Sequence, residues 1–306
     1  MDMRRLEVLC KVVEFKSFTK AAEALSLSQP TVSEHLRSLE EILGEKLIDR
    51  LGRGVFPTPA GKVFYQYARS IIRMRDEAIE ALGQFKGRLS GRLVLGASTI
   101  PGTYMLPRIV GAFKQIHPAI RITLNIAGTA KIVEGVLEGD LEAGLVGSKW
   151  NDRRLSLEEV FSDELVLAVF PEHPWAKKGE IRADEMAGEP FILREEGSGT
   201  RIVMIRILEQ HGFDTARLNV VAEMGSTESV RQGIKSRIGA SILSREAVAE
   251  DLLHNTLATV TITGVRFVRP FYLIQRKHRQ KSPLCSAFLD YFLKDARGGA
   301  HETADT

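Results

Sequence analysis

Cysteine is nearly absent: the 306 residues hold two, Cys10 and Cys285. They lie far apart in sequence, each in an apolar pattern of helical spacing, which excludes a disulfide framework and offers no metal-binding spacing. Long hydrophobic runs are missing as well. None approaches the roughly 20 residues of a membrane span, and the opening MDMRRLEVLCKVVEF is too broken by charge for a signal h-region. A cytoplasmic protein without a membrane partner is the expectation. The seven histidines show no HExxH or Cys/His pattern, and no Walker loop or G-x-G-x-x-G follows a strand pattern. The stretch EGSGTR lacks the G-x-S-x-G elbow. Neither a catalytic role nor a metal or other cofactor is expected, and His117-Pro118 and His173-Pro174 read as surface turns. Charge excess is also lacking. The net charge is +3, and residues 2–53 carry nine Lys/Arg against nine Asp/Glu, so net charge gives no argument for a nucleic-acid partner.

What is present is length enough for about two or three folding units and a 44% apolar content typical of a soluble globular protein. In the first segment, Leu6, Leu9, Cys10 and Val13 recur at helical spacing. Ser17 or Thr19 caps a second helix with Ala21, Ala22 and Leu25 on its packed face. After Ser26-Leu27-Ser28 a third helix opens with Pro30 in its first turn, where the missing N–H costs no bond. Val32, Leu36 and Leu39 aim one face inward and leave Thr31, Ser33, Glu34 and Arg37 pointing away. Two short apolar pieces, Leu47-Ile48 and Val55-Phe56, then flank a basic, glycine-containing tip from Arg50 to Gly54, as in a small hairpin wing. A long helix starts at Thr58-Pro59, and Phe64, Tyr67, Ile71, Met74, Ala78, Leu82 and Phe85 form a seam of alternating steps of three and four that suits a dimerising linker.

Residues 86–91, KGRLSG, are the best hinge in the chain. Beyond them the periodicity changes to strand, helix, strand, helix, strand, which predicts a mainly parallel sheet covered on both faces. A second such set follows, with strands near 165–170, 191–193, 219–222 and 240–243, a further strand at 271–275 and a closing helix at 283–294. Two similar α/β lobes joined by crossing strands are expected, with a cleft between them. The expected divisions are residues 1–57, 58–90 and 91–296, with lobe I near 91–162 and 267–296 and lobe II near 163–266; residues 297–306 read as a disordered tail.

Two constellations carry chemistry. Small residues on one helix, a tight turn and an exposed helix start meet the needs of a helix-turn-helix. Ser28, Gln29, Pro30, Thr31, Ser33, Glu34 and Arg37 are the candidate DNA contacts, with Arg50 and Arg53 in the wing. Gln29 is the best base reader, because its amide bonds adenine N6 and N7 together. Arg37 suits a phosphate or a more distant guanine, and Glu34 either accepts from cytosine or repels phosphate. The second constellation is a set of Ser/Thr-rich loops at strand ends: Ser98, Thr99 and Ile100; Gly128 and Thr129, with Gly147; Gly197, Ser198, Gly199 and Thr200; Ser226 and Thr227. Strand ends of open α/β sheets line ligand crevices, and helix N-termini there favour a small anion. The plain alternative is that each hydroxyl merely caps its helix. Glu195 and Glu196 would repel an anion, so they are expected to point away or to pair with Arg194 or Arg201.

The stretch FKSFTKAAEALSLSQPTVSEHLRSLEEILGEKLIDRLGRGVFPTPAG resembles the DNA-binding segment of LysR-type transcriptional regulators, and the rest of the chain follows their layout. The resemblance implies a winged helix-turn-helix with a dimerising linker helix and a two-lobed effector domain similar to periplasmic solute-binding proteins. It also implies double-stranded operator DNA as partner, assembly of homodimers into a homotetramer, and contact with RNA polymerase. Glu34 departs from the Arg or Gln frequent at that position. REEGSGTR is similar to the matching loop in family members that govern carbon dioxide fixation or sulfur assimilation, which points to a sulfur oxyanion first and to a carbon-fixation metabolite second. The rival reading is a cytoplasmic solute-binding or enzymatic α/β protein whose N-terminal helices only mediate assembly.

Overall fold

The computed structural model describes residues 2–51, 54–85 and 89–299, with residues 50, 51, 77, 80, 81, 83–85 and 297–299 described in their backbone alone, so the side chains of Arg50 and of the seam residue Phe85 lie outside the description. The wing-tip residue Arg53 and residues 86–88 of the expected hinge therefore lie outside the described residues. The chain forms two compact units, Met1–Leu89 and Ser90–Thr306.

In the first unit, α1 (Met3–Phe15), α2 (Phe18–Leu25) and α3 (Gln29–Leu43) are each capped by a side chain. Asp2, Ser17 and Ser28 accept from the backbone N–H three residues on, which satisfies a donor that has no partner inside the helix. Ser26 ends α2 in the left-handed region at φ 54°, so the chain reverses in two residues. Leu6, Leu9, Val12, Ala21, Val32, Leu36 and Leu39 are buried together; each large aliphatic side chain removed from water contributes about 1.5–3 kcal/mol.

The wing, β1 (Ile48–Leu51) and β2 (Gly54–Pro57), is an antiparallel pair. Its entry is tied to α3, because Glu40 Oε1 accepts from the backbone N–H of Leu47 at 2.8 Å and of Ile48 at 3.1 Å. The long helix α4 (Pro59–Phe85) begins against the same segment. Thr58 N donates to Leu47 O at 2.9 Å, and Gly61 lies so close that a Cβ there would stand 1.9 Å from Leu47 O. One side of α4 packs on this unit through Phe64, Tyr65, Ala68 and Ile72, and Arg75 bonds Glu7 at 2.7 Å. The other side is bare: Val63, Tyr67, Ile71, Met74, Ile79 and Leu82 are exposed. Phe64 thus belongs to the local core rather than to the outward stripe.

The second unit begins with β3 (Gly91–Ala97), a short π-turn at Pro101–Met105, α5 (Leu106–Ile116), β4 (Ile120–Ile126), α6 (Thr129–Glu138) and β5 (Ala143–Val146). The three strands lie parallel in the order β4-β3-β5. Next, β6 (Leu155–Val169) carries the chain out of this lobe. The other lobe holds α7 (Pro174–Lys178), β7 (Glu180–Ile181), β8 (Pro190–Arg194), α8 (Gly199–Gln210), β9 (Asn219–Met224), α9 (Thr227–Lys235), β10 (Ser241–Ser244), α10 (Arg245–Leu253) and β11 (Ala258–Ile262). The return strand is β12 (Phe267–Arg276), and α11 (Pro283–Gly299) closes the first lobe. That helix continues three residues into the stretch expected as tail.

The sheet is mixed rather than mainly parallel where the lobes join. β12 runs antiparallel to β6 over its whole length and to β5, because a chain that leaves one lobe and returns beside its own exit must reverse direction. His173 also departs from expectation. It is 2% exposed, accepts from Trp175 N at 3.1 Å and meets Glu189 at 3.0 Å, so its imidazole caps α7 between Phe170 and Trp175 instead of lying on the surface.

Candidate functional site

The first candidate surface is the start of α3. Val32, Leu36 and Leu39 are buried, and the opposite side offers exposed Gln29, Pro30, Glu34 and Arg37 and partly exposed Thr31 and Ser33. The cap is a small network: Ser28 Oγ and Thr31 Oγ1 stand 2.7 Å apart, and Gln29 Nε2 donates to Ser33 Oγ at 2.9 Å. Gln29 is therefore held along the helix surface by one exposed contact. Arg37 pairs with Glu41 at 2.9 Å on the surface.

The second is a cleft of about 920 Å³ in the second unit. Ser98, Thr99, Ile100, Gly128, Thr129 and Gly147 line it from the first lobe, and Gly197, Ser198, Gly199 and Thr200 from the second. Ser226 and Thr227 do not line it. Their hydroxyls serve elsewhere: Ser226 Oγ caps α9 at 3.0 Å from Ser229 N, and Thr227 Oγ1, behind the wall, accepts from Arg194 Nη1. The contrast answers whether such hydroxyls are caps. Ser198 precedes α8 without making a side-chain cap bond, and α6 follows Gly128, which has no side chain to cap with. The first N–H groups of both helices lack intrahelical partners.

Sequence reasoning missed the charged floor of the cleft. Arg269 on β12 and Asp163 on β6 are direct cross-strand neighbours with 3% and 1% of their side chains exposed. Arg269 donates to Asp163 Oδ2 from Nε at 2.8 Å and Nη2 at 2.6 Å, and from Nη1 to Thr200 Oγ1 at 3.2 Å. Ser244 Oγ donates to Asp163 Oδ1 at 2.8 Å. Burial pushes the Asp163 carboxyl above its ordinary value against the pull of Arg269 and Ser244, and burial depresses the Arg269 guanidinium. The guanidinium also lies over the Phe271 ring, 4.9 Å from its centroid.

The other cation is Arg194 at the end of β8, 6% exposed. Its Nε and Nη2 each meet a Glu195 oxygen at 2.6 Å. Burial opposes the Glu195 carboxylate, yet the Arg194 bonds hold its pKa below the usual glutamate value. Arg201 goes instead to Arg194 O at 2.8 Å and to Glu223 at 2.7 Å. A single signal could have found the pair Asp163 and Arg269: charged residues in the middle of two strands that must cross.

Residues 3–62 match the family described as bacterial regulatory helix-turn-helix protein, lysR family, and residues 86–297 match the LysR substrate binding domain. The chain belongs to the LysR family. As a LysR-type transcriptional regulator it combines an N-terminal helix-turn-helix with a two-lobed, periplasmic-binding-like domain. It is 33% identical over 297 residues to the RuBisCO operon transcriptional regulator of Allochromatium vinosum, covering 97% of each chain. Among solved structures it is similar to full-length CbnR complexed with its target DNA, at TM-score 0.71 and 21% identity, covering 97% of this chain and 100% of that one. It is also similar to the CcmR regulatory domain of Synechocystis PCC6803 in complex with 2-PG, at TM-score 0.62 and 27% identity, covering 68% of this chain and 98% of that one.

Both cysteines of this LysR regulator are buried, and burial pushes each thiol up to about 12. Neither has the lowered pKa of a reactive thiol. Among the described residues no group of three His, Cys, Asp or Glu is placed to hold a metal ion, and no helix is long and apolar enough to cross a membrane.

Proposed function

We propose that this LysR regulator reads duplex DNA with the exposed start of α3 and takes a small anion in the inter-lobe cleft, acting in the cytoplasm without a reaction of its own. Gln29 and Thr31 face bases, Ser28, Ser33 and Arg37 serve the backbone, and Arg50 and Arg53 reach phosphate from the wing. Dimers form along the bare stripe of α4 and pair into tetramers. The observation that carries the effector reading is the Ser198 hydroxyl at the start of α8, which makes no cap bond and lines the same cleft as Ser98, Thr99 and two buried guanidinium groups. Helix starts and guanidinium groups favour an anion. The similarity to a domain solved with 2-PG supports a small-molecule occupant, and the RuBisCO regulators among the relatives favour a carbon-fixation metabolite over a sulfur oxyanion. The effector alters DNA binding only to the extent that it prefers one arrangement of the protein over another.

Footprinting on the regulator's own promoter tests the DNA half. A bidentate base contact discriminates by about 1–3 kcal/mol, so Gln29→Ala should weaken operator binding by roughly tenfold or more while leaving affinity for random duplex unchanged. Equal loss on both duplexes would assign Gln29 to the backbone. For the cleft, calorimetry with 2-PG and sulfate should show about tenfold weaker binding for Thr99→Ala and Ser198→Ala, each removing one hydrogen bond to a charged group. Unchanged affinity in both variants removes the anion from this cleft.

A further inference from the structure

Two buried guanidinium groups line the cleft, beside the exposed Arg154 that Asp152 covers, and both buried groups have their bidentate edge, Nε with Nη2, covered by a carboxylate. The two covers differ. Asp163, on Arg269, has 1% of its side chain exposed, is locked opposite its partner by strand register and is held on its other oxygen by Ser244. Glu195, on Arg194, is 38% exposed, sits in the loop between β8 and α8, and has Arg194 as its one side-chain hydrogen-bond partner among the described residues. Arg194 itself is held from behind, by Thr227 at Nη1. That anchor does not involve Glu195, so Arg194 keeps it when its Nε and Nη2 edge is given up. Ser198 and Gly199 follow within five residues and line the same space.

We propose that Glu195 is a built-in rival for the anion position: it occupies the Arg194 edge when the cleft is empty and yields that edge to the effector. This rests on the anion reading above. A bidentate guanidinium edge matches carboxylate, phosphate and sulfate alike, so the incoming group replaces one carboxylate by another oxyanion of the same shape. Leaving the edge costs Glu195 little desolvation, because water already reaches it. Leaving would cost Asp163 far more, since a buried charge stripped of its partner is strongly unfavourable. The contest also sets the ligand class. A singly charged anion merely matches the carboxylate that it displaces, whereas a dianion such as sulfate, hydrogen phosphate or a phosphate monoester brings a second charge to the helix start and to the field of Arg269. Glu195 thus raises the threshold for every anion by the same factor, and the second charge of a dianion is what carries it over that threshold.

Calorimetry on the full-length protein tests this with sulfate, inorganic phosphate and nitrate as probes. Glu195→Gln keeps the shape of the side chain and removes the rival charge; circular dichroism verifies its fold. Glu196→Gln removes an exposed charge one residue away that pairs with no guanidinium among the described residues. The expected result is sulfate and phosphate binding about tenfold tighter in Glu195→Gln, or binding that appears only in that variant, with any nitrate binding tightened by the same factor and Glu196→Gln within twofold of the parent. Equal gains in both variants overturn the proposal, because the effect is then the general field of the loop. No gain in Glu195→Gln, with sulfate bound by the parent and weakened by Ser198→Ala, overturns the rivalry and leaves the anion cleft standing. Absence of sulfate and phosphate binding in every protein tested overturns the anion cleft and the rivalry together.

Discussion

Arg269→Ala lowers the stability of the unit formed by residues 90–299 by about 3–5 kcal/mol, the range for breaking a buried ion pair from one side. Roughly 10 °C of melting temperature follows for a unit of this size. The cause is the carboxylate left behind more than the packing lost. Asp163 has 1% of its side chain exposed and would retain Ser244 as its remaining side-chain donor. The sign of the pH dependence follows. Burial already raises the folded-state pKa of Asp163, and removing Arg269 raises it further, so the folded variant binds a proton that the unfolded chain gives up. The deficit is full above the raised folded pKa and shrinks as pH falls from there toward the ordinary carboxylate value. Denaturant melts of parent and variant at pH 7 and pH 5 read this directly. The double replacement Asp163→Leu with Arg269→Met should recover most of the loss, as apolar substitutes for buried pairs do. A cost below about 1 kcal/mol for Arg269→Ala at pH 7, against the few kcal/mol expected, would show that water reaches the pair.

Gly61→Ala costs the DNA-binding unit about 3 kcal/mol or more, at the upper end for overpacking. The added methyl would stand 1.9 Å from Leu47 O and 2.9 Å from Leu47 C, and these are backbone atoms that no rotamer change can move aside. Relief requires the start of α4 to part from the segment that leads into the wing. That segment is held by Thr58 N on Leu47 O and by Glu40 on the N–H groups of Leu47 and Ile48, so three backbone bonds share the strain. Melting followed by fluorescence, with operator affinity measured beside it, should show both falling. Gly111→Ala is the control, because a Cβ there meets nothing within 4 Å.

The first unit was legible in the sequence because each of its elements has its own signal. Ser17 and Ser28 cap, Pro30 sits in a first turn, and the apolar spacing of Val32, Leu36 and Leu39 gives the buried face that the structure contains. In the second unit the strands of the first lobe were readable from alternation, and the long exit strand was read only in its last residues, near 165–170. The stretch LSLEEVFSDELVLAV contains Ser156, Glu158, Glu159, Ser162, Asp163 and Glu164. Its first part is an exposed crossing segment whose polar residues hide the period of two. The helix Arg245–Leu253 and strand Ala258–Ile262 were missed for a related reason: the helix is partly apolar on all sides, so no face stands out. The cleft hydroxyls were found because loops after strands announce themselves by composition. Asp163 and Arg269 were not, because their role depends on two strands distant in sequence lying side by side, while Arg194 was read only as a partner for Glu195, a pairing that the structure contains.

Glu195 follows Arg194 directly in the chain, so the carboxylate is never diluted away from its guanidinium, however little protein the cell contains. A tethered competitor reduces the apparent affinity for the effector by the fraction of time that it leaves the site open. A regulator built this way does not answer to traces. Its threshold is set by a ratio inside one molecule, and single substitutions at residue 195 would move the working range of the sensor up or down without touching the residues that recognise the effector.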